Sequence, residues 1–178
     1  MQNLLRQRKG VYVDVGAYHP ILYSNTYAFY KNGWSGIVID PNPFCGELFR
    51  WFRSKDKFIN AAVGSSDEGV YYQYSDGAYN SLNPAQCNNK NIRLISKTKV
   101  PIRPLSDLLR GIKSIDFMNV DVERMDADVL KSYNWEIKPT VIAVEGVFGD
   151  EIYKFLSDKK YILRVTIGLT MVFEFKQN

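Results

Sequence analysis

The sequence predicts an α/β fold: an open, mostly parallel seven-stranded sheet that ends in an antiparallel hairpin. Three observations carry this. Five short apolar runs bounded by turn residues recur at VYVDVG (11–16), GIVID (36–40), FINAAVG (58–64), IDFMNVDV (115–122) and TVIAVE (140–145). Runs of this length, apolar on both faces, suit strands buried on both sides of a parallel sheet. Helical patterns lie between them, and alternating strands and helices build βαβ units. The last two runs, YILRVTI (161–167) and LTMVFEF (169–175), are separated by Gly168 alone, too short a link for a parallel crossover, so they pair antiparallel.

Ser24 or Asn25 is placed to cap a helix through Tyr30, stopped by Gly33. Asn42 caps a second, with Pro43 at its first position and Phe44, Leu48, Trp51 and Phe52 on one face. Met125, Val129 and Tyr133 share a face of a third. Ile152, Phe155 and Leu156 share a face of a fourth that Asp150 can cap. VYYQYS (70–75) alternates and is read as an extra strand, and the polar stretch from Asp76 to about Lys99 as a long substrate-side loop.

With 178 residues, 46% of them hydrophobic and 24% charged, the chain is expected to be a single domain over 1–178. Its first ten residues lack the apolar run of a signal peptide, and no run approaches the length of a membrane span. The expectation is a cytoplasmic protein without stable membrane insertion. Cys45 and Cys87 have no metal-ligand spacing, so no metal site is expected. A net charge of +4 is too small and too evenly spread to announce nucleic acid.

The chemistry-bearing residues fall at strand ends, where open α/β sheets bind ligands. Asp14, Gly16 and Ala17 close the first run. Gly16 allows a sharp turn, although Ala17, Tyr18, His19 and Pro20 do not complete a pyrophosphate-binding glycine motif. Asp40, followed by Pro41, closes the second, where a carboxylate can accept both hydroxyls of a ribose. Asp121 and Glu123 stand on one face at the end of the fourth. Trp34 reads as core packing.

The segment VDVGAYHPILYSNTYAFYKNGWSGIVIDPNP (13–43) resembles the N-terminal signature of the FkbM methyltransferase family, which reads D-V-G-A-x-H-P, then S-N-T, then G-W-x-G. NVDVERMDADVLKSYNW (119–135) and KPTVIAVE (138–145) are similar to that family's D-V-E-G-x-D-x-x-V-L-K-S and K-P-x-x-x-x-V-E blocks. The resemblance implies a Rossmann-like class I methyltransferase fold. It also implies an enzyme that uses S-adenosylmethionine to methylate a hydroxyl, often of a sugar in a surface glycan, lipopolysaccharide or secondary metabolite.

On that reading the cofactor site is expected to draw on Asp14, Gly16, Ala17, Ser24, Asn25, Thr26, Asp40, Pro41, Ala62 and Asp121. The sugar or glycan acceptor is expected near Asn80, Ser81, Glu123, Arg124 and Glu145. His19, the sole histidine, and Asp121 are the candidates to accept the hydroxyl proton, with His19 favoured for its neutral-range pKa. Arg124 stands where the family usually has glycine. Alternative readings are a cofactor-binding regulatory module without turnover and an RNA ribose methyltransferase.

Overall fold

The computed structural model describes residues 9–83, 91–146 and 149–176. In chain order its first half holds β1 (Val11–Val15), α1 (Tyr27–Lys31), β2 (Ser35–Asp40), α2 (Pro43–Phe52), β3 (Lys57–Asn60), β4 (Ala62–Val63) and β5 (Glu68–Tyr74). A 3-10 turn at Gly77–Tyr79 follows. The rest comprises β6 (Leu94–Arg103), α3 (Leu105–Leu108), β7 (Phe117–Val120), α4 (Asp126–Lys131), β8 (Val141–Glu145), α5 (Gly149–Asp158), β9 (Tyr161–Ile167) and β10 (Thr170–Phe175).

Seven of these strands form one sheet in the order β3-β2-β1-β7-β8-β10-β9. The first five are parallel, and β10 runs antiparallel to both its neighbours. The chain thus winds outward from β1 to β3 and resumes on the other side of β1 with β7. That reversal between β1 and β7 opens a crevice at the strands' carboxyl ends. The sheet is the seven-stranded one the sequence predicts, hairpin included, with Gly168 at φ 60° in its turn.

Alternation along β1 sends Tyr12 and Val13 to opposite layers. Val13 and Val15 join Leu130, Ile152 and Leu156 on one side of the sheet. Tyr12 joins Phe29, Trp34, Phe49 and Phe117 on the other. Trp34 is core, 4.9 Å from the Phe29 ring centroid.

Several expectations are corrected. The run 58–64 is not one strand: β3 stays in the main sheet, and β4 leaves it to pair with β6. The stretch from Asp76 to Lys99 is not one loop, because β6 begins at Leu94 and forms an antiparallel hairpin with β5. Most of β6 is exposed, so it lacks the apolar period that announces a strand. Residues 84–90 of that stretch, with Cys87, lie outside the described residues. The strand expected at 70–75 is present as β5.

Helix α1 starts at Tyr27, a little later than expected, and Ser24, one of the two expected caps, accepts from the Tyr27 N–H through Oγ. Asp150 lies in the first turn of α5 rather than at its cap. In α2, Asn42 does cap, accepting from the Phe44 N–H. The face read from the sequence is turned outward: Phe44, Trp51 and Phe52 are exposed and Leu48 half-buried, and Cys45, Phe49 and Arg53 face inward.

Candidate active site

A cavity of about 280 Å³ opens at the switch between β1 and β7. One half of its wall comes from the ends of β1, β2 and β3, through Gly16, Asp40, Pro41, Ala61 and Ala62. The opposite half comes from the second sheet and the turn after it, through Tyr71, Gly77, Ala78, Asn80, Ser81 and Leu82. Asp121, Val122, Glu123 and Met125 stand where the halves meet, and Tyr18 and Tyr23 complete the wall.

Gly16 sits at φ 81°, and a Cβ there would lie 1.8 Å from the Asp121 carbonyl oxygen. The glycine is therefore required by the close approach of two backbones, which brings the end of β7 against the end of β1. The N–H groups of Gly16 and Ala17 both donate to the Ile39 carbonyl, at 2.9 and 3.2 Å.

The predicted cofactor residues divide into two layers. Gly16, Asp40, Pro41, Ala62 and Asp121 line the cavity. Asp14, Ala17, Ser24, Asn25 and Thr26 do not; they form the layer beneath. The buried Asp14 carboxylate accepts from Thr26 Oγ1 at 2.5 Å and Asn119 Nδ2 at 2.9 Å. Asn25 donates to the Asn119 amide oxygen at 3.1 Å. Desolvation pushes the Asp14 carboxyl up, against the pull of these donors.

That layer is anchored by a residue which sequence reading passed over. Arg53 is wholly buried and donates to Asp56, Tyr12 Oη, Thr26 Oγ1 and Ser24 Oγ at 2.7, 2.8, 2.9 and 3.1 Å. A buried guanidinium is retained at low cost only when its charge and its donors are matched, and here Asp56 supplies the charge. Arg53 thereby ties α2 to β1 and to the loop that carries Ser24 and Thr26.

Asp40 Oδ2 accepts from the Tyr18 N–H at 2.9 Å and Oδ1 from the Asn42 N–H at 2.8 Å. Burial pushes its carboxyl up to about 6, and the two backbone donors pull the other way. Each carboxylate oxygen accepts more than one hydrogen bond, so acceptor capacity remains toward the cavity.

His19 is placed differently from expectation. Its Nδ1 accepts from the Ile21 and Leu22 N–H groups at 3.1 and 3.0 Å, and the residue is not in the cavity wall. With Nδ1 engaged as acceptor, Nε2 carries the proton of the neutral ring. Partial burial lowers its pKa further. The arrangement suits a brace for the 19–22 turn.

On the acceptor side, Asn80 Oδ1 accepts from the Tyr74 N–H at 2.8 Å. Ser81 Oγ donates to the Glu123 carbonyl at 3.3 Å, joining the second sheet to the turn after β7. Arg124 and Glu145 lie outside the cavity wall. Asp121, Glu123 and Glu145 each offer a carboxylate oxygen within 4.8 Å of the others, and Glu145 Oε2 is buried without a hydrogen-bond partner. The pairing of β7 with β8 brings the three together as one carboxylate cluster, which motif spacing does not show. Such a set has the ligand type for a hard divalent cation. Burial raises all three, Asp121 to about 6 and Glu123 to about 7, with Glu145 the next cause for both; the charge of Arg124 opposes the rise at Glu123 and Glu145.

Glu123 and Arg124 both have positive φ, 56° and 74°. That backbone is strained for a side chain with a Cβ and free for glycine. Arg124→Gly is accordingly expected to stabilise the protein by about 0.5 to 1 kcal/mol in urea unfolding, the relief of strain exceeding the added chain entropy. An unchanged or lower midpoint would show that the attraction of Arg124 to Glu123 and Glu145 outweighs the strain.

The strand order, with a cavity at the β1/β7 switch and an acidic residue ending β2, is the class I methyltransferase fold that the sequence predicts. A family profile described as "Methyltransferase FkbM domain" matches residues 14–163, and the chain belongs to that family. Among solved structures, the precorrin-6y C5,15-methyltransferase of Geobacter metallireducens GS-15 superposes with a TM-score of 0.56 at 12% identity, covering 98% of this chain and 85% of that one. A TehB-like SAM-dependent methyltransferase of Corynebacterium glutamicum ATCC 13032 Kitasato gives a TM-score of 0.47 at 12% identity, over 98% and 86% of the two chains. No curated protein matches in sequence.

The cavity fits the cofactor in its chemistry. An acidic acceptor ends β2 at one side, small residues such as Ala61 and Ala62 line the middle, and the wall's acids, Asp121 among them, complement a sulfonium's positive charge. When bound, S-adenosylmethionine supplies an electrophilic methyl group.

Proposed function

We propose that the enzyme methylates a hydroxyl of a sugar, in a surface glycan, a lipopolysaccharide or a secondary metabolite, within one methyltransferase domain. The observation that carries the reading is the place of Asp121, in the cavity between the β1–β3 wall and the wall of Tyr71, Asn80 and Ser81. Asp40 accepts the ribose hydroxyls, and Gly16, Pro41 and Ala62 shape the cofactor half. Tyrosine faces with nearby amide and hydroxyl groups match a sugar ring, whose C–H face is apolar and whose edge is polar. Asp121 orients the acceptor hydroxyl and takes its proton; bound S-adenosylmethionine would supply the methyl group, its carbon–sulfur bond breaking as the new carbon–oxygen bond forms. Ser24, Asn25, Thr26 and Asp14 act beneath the site, holding it in shape, and His19 braces the turn above it.

The direct test supplies a labelled methyl donor and glycan extracts, and follows label and a mass shift of one methyl group on sugar. Label that moves to a nitrogen or carbon acceptor, or to nucleic acid, overturns the sugar reading. Asp40→Ala, folded by its melting curve, is expected to weaken cofactor binding in calorimetry by about 1.5 to 3 kcal/mol, the loss of charge-assisted hydrogen bonds. Unchanged affinity would remove Asp40 from the ribose.

A further inference from the structure

One face of α2 carries Phe44, Trp51 and Phe52 into solvent, and the neighbouring loop exposes Leu22 and Tyr23. Tyr23, Trp51 and Phe44 are 88%, 83% and 74% exposed, the most exposed large hydrophobic side chains among the described residues; Leu22 and Phe52 add to them. Phe44, Trp51 and Phe52 belong to one face of α2. Residues 18–24 pack along the inner side of α2, where Cys45 Sγ donates to the Tyr18 carbonyl at 2.8 Å and Arg53 donates to the Ser24 hydroxyl at 3.1 Å. Single exposed apolar residues are ordinary, whereas a cluster of aromatic ones marks a contact surface.

The charges around the cluster restrict what it contacts. Arg50, Lys55 and Lys57 are exposed beside it, against a single exposed acid on the helix, Glu47. Arg53 and Asp56 neutralise each other below. A second copy docked by two-fold symmetry would set the same patch against itself, and three cations would meet three cations. An anionic lipid surface meets both demands: aromatic side chains settle at the boundary of headgroup and acyl chain, and lysine and arginine pair with the phosphates.

We propose that the exposed face of α2 seats the enzyme on an anionic membrane surface. Among the described residues no helix is long and apolar enough to cross a membrane. Tyr23 is exposed and also part of the cavity wall.

The test is flotation of the full chain with vesicles of phosphatidylcholine alone or with about one-third phosphatidylglycerol. Binding is expected to the anionic vesicles only, and to fall as salt screens the cations. Phe44→Ser with Trp51→Ser is expected to lower partitioning about tenfold or more. Arg50→Glu with Lys55→Glu is expected to abolish the preference for anionic lipid. All four positions lie outside the cavity wall, so cofactor binding measured in parallel should be unchanged and reports folding. Failure of the wild type to float with anionic vesicles overturns the proposal, as does flotation unaffected by both variant pairs. A dimer in light scattering that Trp51→Ser makes monomeric would assign the face to self-association instead.

Discussion

Gly16→Ala is expected to cost about 2 to 5 kcal/mol of stability, enough to threaten folding. The added methyl would meet the Asp121 carbonyl oxygen at 1.8 Å. That oxygen is backbone, so no side-chain rotation relieves the clash. The φ of 81° adds left-handed strain. Relief requires β1 and the turn after β7 to separate, which would also pull Asp121 from its place in the cavity. Chemical unfolding measures the loss, and calorimetry on whatever folds measures the cofactor site. A variant that melts like the wild type and binds cofactor normally would mean that the two strand ends are further apart than described.

Asp121→Asn is expected to lower turnover about 10²- to 10⁴-fold, the range for loss of a general base, with cofactor affinity held within a few-fold. Asparagine keeps the shape and cannot accept a proton. Burial first, then Glu145 and Asp14, push the Asp121 carboxyl up to about 6. A base works only when ionised, so wild-type turnover should be low below that value, rise through about pH 6 and level off above it. His19→Ala is expected to leave this profile in place, because the imidazole Nδ1 is held by backbone donors away from the cavity. A large turnover loss in His19→Ala with the cofactor still bound, beside a near-normal Asp121→Asn, would reverse the two assignments.

The main sheet was legible because its strands are buried on both faces, and continuous apolar runs such as TVIAVE have few other solutions. The hairpin followed from one glycine between two runs. The second sheet was not legible. Its longest strand, β6, is mostly exposed and carries Ser96, Lys97, Thr98 and Lys99, so its pairing with β5 leaves no periodic trace. Which way the apolar face of α2 points was not legible for a related reason: an apolar stripe has the same period whether it meets a core or solvent.

In the site, motif reading found the strand-end positions and failed on which way the side chains turn. Asp14 and Asp40 have the same character in sequence. Asp14 is drawn inward by Thr26 and by Asn119, a residue 105 positions away, and only Asp40 reaches the cavity. Tyr18, Tyr23 and Tyr71 line the cavity yet read as ordinary aromatic residues. The meeting of Glu145 with Asp121 and Glu123 depends on β7 and β8 lying side by side.

The Arg53 network also constrains how the protein can diverge. Arg53 and Asp56 have no solvent to fall back on, and Tyr12 Oη is bonded to both. Losing either charge alone leaves its mate buried and unpaired, at a cost of about 3 to 5 kcal/mol, a large share of a typical domain's stability. Replacing both with apolar residues of similar volume costs far less. Evolutionary drift at these positions is therefore open to coordinated exchange and nearly closed to single steps, so descendants of this sequence should keep the charged pair whole or have lost it whole.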